Sequence, residues 1–203
     1  MSSAMTHKPS ADDIKRLREE TGAGMLDCRA ALVSANGDYA AAKKHLADSG
    51  MSRAAKKSER VATEGLVVSY IHHNDKAGVL LEVNCETDFV ARNERFKALA
   101  HDLAKHVFAT NPAYVDRAAV PAEKLAEVKA DLAKEVPAGK PPEVEARIIE
   151  GKLNKWYGDH VLVDQPFIMN EDQTVGELIG STVGVLGENI QVRRFVKFAI
   201  GES

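Results

Sequence analysis

Two cysteines, Cys28 and Cys85, and the adjacent pair His72-His73 are the residues of this chain best suited to covalent or metal chemistry. A thiol nucleophile needs a base within hydrogen-bond reach and surroundings that favour the thiolate. Cys28 instead shares the apolar side of a helical pattern with Met25 and Leu32 at i, i+3, i+7 spacing, and Cys85 ends a strand of buried type. Both therefore read as small core residues. His72-His73 stands in a turn, and no further ligands follow at a metal-site spacing. Gly22-Ala-Gly24 lacks the preceding strand and the Lys-Ser/Thr of a phosphate loop, so it reads as a helix connection. No catalytic residue, metal site or cofactor is expected. The segment that stands out is Asn84-Cys-Glu-Thr-Asp-Phe-Val-Ala-Arg-Asn93, where an acid sits beside a large aromatic between a strand and a helix. Two readings stay open: Thr87 or Asp88 caps the helix with Phe89 in the core, or the acid and aromatic serve a function.

The elements that must position this segment fall into two kinds. Residues 9–51 read as three short helices. Ser10 is an N-cap before Ala-Asp-Asp, Thr21-Gly22-Ala-Gly24 stops the first helix, Asn36-Gly37 stops the second, and Asp38 caps a third that is expected to end at Ser49-Gly50. Residues 52–63, locally basic, read as a solvated linker helix. From Glu64 the pattern changes to β-branched strands: Leu66–Ile71 and Val79–Val83 form a hairpin around His72–Gly78. A helix follows with Phe96, Leu99, Leu103 and Val107 on one face, then further helices after Pro121 and Pro142 and around Val175–Leu186. Gln165–Met169 is extended. A last strand alternates Ile190, Val192, Val196, Phe198 and Ile200, interrupted by Arg194. The expected class is α+β: an N-terminal three-helix bundle, then an antiparallel sheet covered by helices in a domain spanning 64–203. Residues 1–8 are expected to be a disordered tail.

Composition limits what the chain does. Of 203 residues, 27 are Lys or Arg and 30 are Asp or Glu, a formal net charge of −3, and aromatics are only 5%. That balance argues against a polyanion-binding or base-stacking surface, so no nucleic acid partner is expected. No stretch approaches the ~18 apolar residues of a membrane span, and two cysteines suit a reducing cytosol, so the expected location is cytoplasmic.

Three motifs, Thr21-Gly-Ala-Gly-Met-Leu-Asp-Cys28, Glu82-Val-Asn-Cys-Glu-Thr-Asp-Phe-Val-Ala91 and Gly187-Glu-Asn-Ile-Gln-Val-Arg-Arg-Phe195, together resemble the bacterial elongation factor Ts family over about Pro9 to Gly201. Members of that family are non-enzymatic guanine-nucleotide exchange factors that release GDP from elongation factor Tu. The resemblance implies a ubiquitin-associated-like N-terminal bundle that docks on the partner's nucleotide-binding domain through Arg18, Met25 and Leu26. It assigns Thr87, Asp88, Phe89 and Val90 the part of a wedge that dislodges Mg²⁺, with His72 a further contact. Longer members carry two related α+β halves; this chain has strands for one, so it looks like a short form. Twofold pairing would restore the missing half, and a noncovalent homodimer using the C-terminal strand is expected. A helix-turn-helix reading of the bundle lacks a basic recognition helix, and a cysteine hydrolase reading lacks an activated thiol.

Overall fold

The computed structural model describes residues 8–137 and 139–201, so the expected N-terminal tail lies outside the described residues apart from Lys8. The protein is α+β. The described residues divide into two compact units, each assembled from separated stretches of chain. The first takes residues up to Leu66, Val83–Leu99 and Glu177–Gln191; the second takes Val67–Glu82, Ala100–Gly176 and the chain from Val192. The compact units therefore do not follow the sequential segments 9–51, 52–63 and 64–203.

In the first unit the bundle forms as its caps dictate. Helix α1 (Ala11–Thr21) starts where Ser10 Oγ accepts the Asp13 N–H at 3.0 Å and donates to Asp13 Oδ2 at 2.6 Å. It stops at Gly22, whose φ of 69° lies in the left-handed region. Helix α2 (Met25–Ser34) follows and ends at Asn36-Gly37, both at positive φ. Leu17, Cys28, Ala31, Leu32 and Ala42 make the buried core, with Ile14, Tyr39 and Leu46 packed against it. Met25 departs from the expected apolar triad, being 56% exposed.

Helix α3 (Tyr39–Lys57) corrects the sequence expectation at its end. Asp38 caps it by accepting the Ala41 N–H at 3.0 Å, but the helix runs straight through Ser49-Gly50 and absorbs the first half of the predicted linker, up to Lys57. Gly50 is buried because a helix passes over it. A Cβ there would lie 3.2 Å from the carbonyl oxygen of Gly180, and a Cβ on Gly184 would lie 3.2 Å from Gly50 Cα. The crossing partner is α8 (Val175–Leu186). Nor is the basic stretch merely solvated: Arg53 Nη1 reaches Asp27 Oδ2 at 3.2 Å and the Gly184 carbonyl at 3.4 Å, and Lys57 Nζ donates to the Gly187 carbonyl. The unit also holds the one-turn helix α4 (Asp88–Ala91) and the start of α5 (Glu94–Thr110).

Strands β1 (Glu64–Ile71), β2 (Ala77–Cys85) and β5 (Gln191–Ala199) form a small sheet in the order β1-β2-β5. Alternate residues of each strand face opposite ways. Val79, Leu81, Val83 and Cys85 are buried on one face. On that side of the second unit Tyr70 packs edge-on against Phe108 of α5, with 5.2 Å between ring centroids, and Lys197 Nζ lies 5.4 Å from the same ring. The expected helical cover stops there. On the opposite face Val67, Ile71, Leu80, Val196, Phe198 and Ile200 are exposed. The last strand's apolar alternation is thus split, with Ile190 and Val192 buried and the remaining three open. Arg194, the interruption, pairs with Glu82 Oε2 at 2.7 Å.

The remaining second-unit elements are a helical pair, α6 (Ala122–Lys134) and α7 (Pro142–His160), and a hairpin of β3 (Pro166–Phe167) and β4 (Asn170–Thr174). The hairpin was not expected beyond its extended first arm. Val120, Tyr157 and Val161 centre the core under the helical pair. A second node surrounds the fully buried His106. His106 Nδ1 faces the Ile168 N–H at 3.3 Å and Nε2 lies 2.9 Å from Gln165 Oε1, which also accepts from Thr110 Oγ1 at 2.8 Å. An acceptor Nδ1 fixes the neutral ring with its proton on Nε2.

Burial, only partly offset by the Gln165 contact, holds His106 below the ordinary histidine range. The unfolded chain therefore takes up a proton near the unperturbed pKa of ~6.5 that folded His106 refuses until lower pH. The stability from neutral His106 is fully present above that value and declines as pH falls through it, at up to ~1.4 kcal/mol per pH unit. Urea midpoints between pH 8 and 5 should show this slope in the wild type and its reduction in His106→Gln.

Candidate functional site

The Asn84–Asn93 segment resolves into strand end, cap and helix turn. Thr87, at φ −130° and ψ 155°, is the N-cap of α4, and its Oγ1 accepts the Val90 N–H at 3.4 Å. Val90 and Ala91 point inward and are buried. Phe89 points outward and is 80% exposed. The core reading of Phe89 is thereby excluded, and Val90 is an inward anchor of the turn. Asp88 lies on the exposed side, paired with Arg92 Nη2 at 2.9 Å. A carboxylate in a helix first turn also suits the partial positive charge there.

Two short loops hold this turn from behind. Glu188 Oε2 accepts the N–H groups of Glu86 at 3.1 Å and Thr87 at 3.0 Å, and Glu188 Oε1 accepts the Thr87 hydroxyl at 2.6 Å. In return Glu86 Oε1 accepts the Asn189 N–H at 2.6 Å and lies 3.6 Å from Arg60 Nη1. Asn189 is almost wholly buried and donates through Nδ2 to the carbonyls of Arg60 at 2.8 Å and Ser58 at 3.4 Å. Glu86, Glu188 and Asn189 are site residues that sequence reasoning missed. Gly187-Glu-Asn was noticed as a motif, but about a hundred residues of separation concealed what it touches.

The bundle residues lie on the same compact unit. Leu26 is 80% exposed at the start of α2, beside the partly exposed Met25. Arg18 lines a polar cleft with Lys15, Glu19, Gly22, Asn93 and Arg95, so α1 and the residues just after α4 share one surface depression. The Arg95 guanidinium lies over Gly22, where a Cβ would be 1.5 Å from Nη1 and would displace that flexible side chain, while the φ of 69° is what favours glycine there. His72 belongs to the second unit and is committed to an aromatic cluster there. Its ring stacks on Phe108 at 4.6 Å and its Nδ1 lies 3.2 Å from the Tyr70 hydroxyl.

The thiols are set for packing. Cys28 is buried beneath the first glycine turn, and burial pushes its thiol pKa up. Burial, then the nearby Glu188 carboxylate, pushes Cys85 up to about 11, and its Sγ donates to the Thr87 carbonyl at 3.2 Å. Both remain protonated at neutral pH and are poor nucleophiles. Among the described residues no cluster of three or more His, Cys, Asp or Glu is arranged to hold a metal ion, and no helix is long and apolar enough to cross a membrane.

Comparison with known proteins finds one family over nearly the whole chain. The family model described as Elongation factor TS matches residues 41–202. Elongation factor Ts of Moorella thermoacetica is 50% identical over 194 residues, covering 95% of this chain and 96% of the relative. The Elongation factor Ts of Geotalea uraniireducens is 48% identical, covering 95% of this chain and 90% of the relative. That of Fervidobacterium nodosum is also 48% identical, covering 95% and 98%. Such two-sided coverage means that these relatives have nearly the same length as this chain. With a family model matched over most of its length, and relatives about half identical over nearly all of it, the chain belongs to the elongation factor Ts family.

Proposed function

We propose that this protein is a translation elongation factor that acts in the cytoplasm as a guanine-nucleotide exchange factor, releasing GDP from elongation factor Tu so that GTP binds. The observation that carries the reading is Phe89, a large aromatic held in solvent at the tip of a turn whose neighbours Val90 and Ala91 are buried. An aromatic displayed in this way is suited to fill an apolar seam of a partner. A GTPase holds its nucleotide through phosphate contacts and a Mg²⁺ on the β-phosphate. Phe89 needs only to shift the elements that orient that ion. Asp88 acts beside it, competing for the same hydrogen-bond donors or repelling the phosphate once its pairing with Arg92 is given up. No covalent step is required: a factor that binds nucleotide-free partner more tightly than GDP-bound partner weakens GDP by the same ratio.

Docking falls to the bundle. Leu26 and Met25 form the apolar contact on the partner's nucleotide-binding domain, and Arg18 adds a charge at the rim. His72, half-buried against Phe108, offers its outer edge as a secondary contact. The open sheet face supports a homodimer, because an uncovered face carrying Val67, Ile71, Leu80, Val196, Phe198 and Ile200 invites a second copy of itself.

Three outcomes test these assignments. Phe89→Ala should melt within a few degrees of wild type, since its side chain is exposed, while GDP release from elongation factor Tu slows at least ~tenfold; unimpaired release would remove the wedge. Leu26→Asp should weaken binding to elongation factor Tu by about tenfold or more while circular dichroism stays unchanged. Light scattering at micromolar concentration should give roughly twice the 22.0 kDa chain mass, and Phe198→Asp should return the protein to a single-chain mass.

A further inference from the structure

A helix of four residues does not hold itself together, because fixing its first turn costs more than its few hydrogen bonds return. Something outside α4 must keep Thr87–Val90 in the shape that turns Phe89 outward. The groups that meet this segment from the next loop are the two carboxylate oxygens of Glu188. They collect three donors, the N–H of Glu86, the N–H of Thr87 and the Thr87 hydroxyl, at 3.1, 3.0 and 2.6 Å. Hydrogen bonds to an ionised acceptor are the short, strong class. The hydroxyl contact also sets a direction: with its proton given to Glu188, Thr87 Oγ1 turns a lone pair to the Val90 N–H and so caps α4.

The carboxylate is itself held from behind. Asn189, the next residue, is fixed to the end of the α3 region by its two bonds to the Ser58 and Arg60 carbonyls, and its N–H is taken by Glu86. Lys57, the last residue of α3, donates to the carbonyl of Gly187. The turn bearing Phe89 is thus tied through Glu188 to the last helix of the docking bundle.

We propose that Glu188 is the positioning residue of the exchange turn: its carboxylate holds Thr87–Val90 preformed, so that docking of the bundle delivers Phe89 already shaped for entry. The assignment rests on the reading of Thr87–Val90 as the element that acts on elongation factor Tu. A preformed element spares the complex the ordering entropy of a loose loop, and a small misplacement of a reacting element lowers rates steeply. Glutamine keeps one acceptor oxygen for the two backbone N–H groups but presents an NH₂ to Thr87 Oγ1, so it substitutes in part. Alanine removes all three contacts.

The test compares full-length wild type, Glu188→Ala, Glu188→Gln and Phe89→Ala. Release of a fluorescent GDP from purified elongation factor Tu is followed against exchange-factor concentration, together with amide hydrogen exchange at Thr87 and Val90 in the free protein. Glu188→Ala should lower the maximal release rate about ten- to a hundredfold. Its half-saturating concentration should stay within about twofold, since the Arg18, Met25 and Leu26 contacts are untouched. Its Thr87 and Val90 amides should exchange at least ~tenfold faster while the bundle amides keep their protection. Glu188→Gln should fall between Ala and wild type and serves as the folded variant if alanine unfolds the unit. A wild-type maximal rate in Glu188→Ala beside a slow Phe89→Ala removes the role of Glu188 and leaves the wedge standing. Full-rate release by Phe89→Ala removes the wedge and this role with it. A lower rate accompanied by protection lost across the whole unit, in both Glu188 variants, makes Glu188 a general structural residue and overturns the proposal.

Discussion

The close crossing of α3 and α8 depends on the missing side chains of Gly50, Gly180 and Gly184. At Gly50 and Gly184 a Cβ would meet backbone at 3.2 Å, so a larger residue there would push the two helices apart by a few tenths of an ångström. Close approach brings the end of α8 within reach of α3, so that Arg53 contacts Gly184 and Lys57 contacts Gly187 through side-chain bonds to backbone carbonyls. Those carbonyls are among the unpaired ones that any helix C-terminus leaves, and a cation is their natural partner. The turn that carries Glu188 and Asn189 begins there. The loop that grips the Phe89 turn thus starts from a helix crossing made at residues that contribute almost no surface of their own.

Phe89 and the outer sheet face hold large apolar side chains that the chain itself does not bury. An exposed Phe or Leu gains nothing from hydrophobic burial in the isolated chain, while burying such a side chain is worth ~1.5–3 kcal/mol. The bundle, the inner sheet face and α5 supply the burial that keeps the fold intact: Leu17, Leu32, Leu81, Phe96 and Leu103 are all closed from solvent. The outward residues are left unpaired in return, available for a surface that is not part of this chain.

Much of this architecture is legible in local sequence. Ser10, Asp38 and Gly22 do what their types forecast, and the 3.6-residue recurrence of Phe96, Leu99, Leu103 and Val107 marks the buried face of α5. Gly50 misleads because a glycine after a serine looks like a terminator, whereas close packing of two helices demands the same residue. The second arm of the β3-β4 hairpin, Asn-Glu-Asp-Gln-Thr174, is strongly polar and carries no strand signature; pairing with Pro166-Phe167 makes it one. Periodicity put Met25 inside with Cys28, but helix-start geometry leaves it outside. The Asp-Phe segment was visible, yet whether Phe89 faces in or out was not, because a single turn has no period to read. The Glu86–Asn189 and Glu188–Thr87 exchange is invisible to any local pattern, since its partners are brought together only by tertiary structure.

The strand order β1-β2-β5 places the central strand beside one made long after it. The two loops that hold the Phe89 turn are likewise separated, by 102 residues between Glu86 and Glu188. At ~5–20 residues per second on the ribosome, roughly 5–20 s pass between synthesis of the first loop and synthesis of the second. During that interval the N-terminal bundle has every residue it needs to fold, whereas β2 shows an unpaired edge and the turn bearing Phe89 has no carboxylate to shape it. A nascent chain would thus hold a folded bundle before it holds an ordered Phe89 turn.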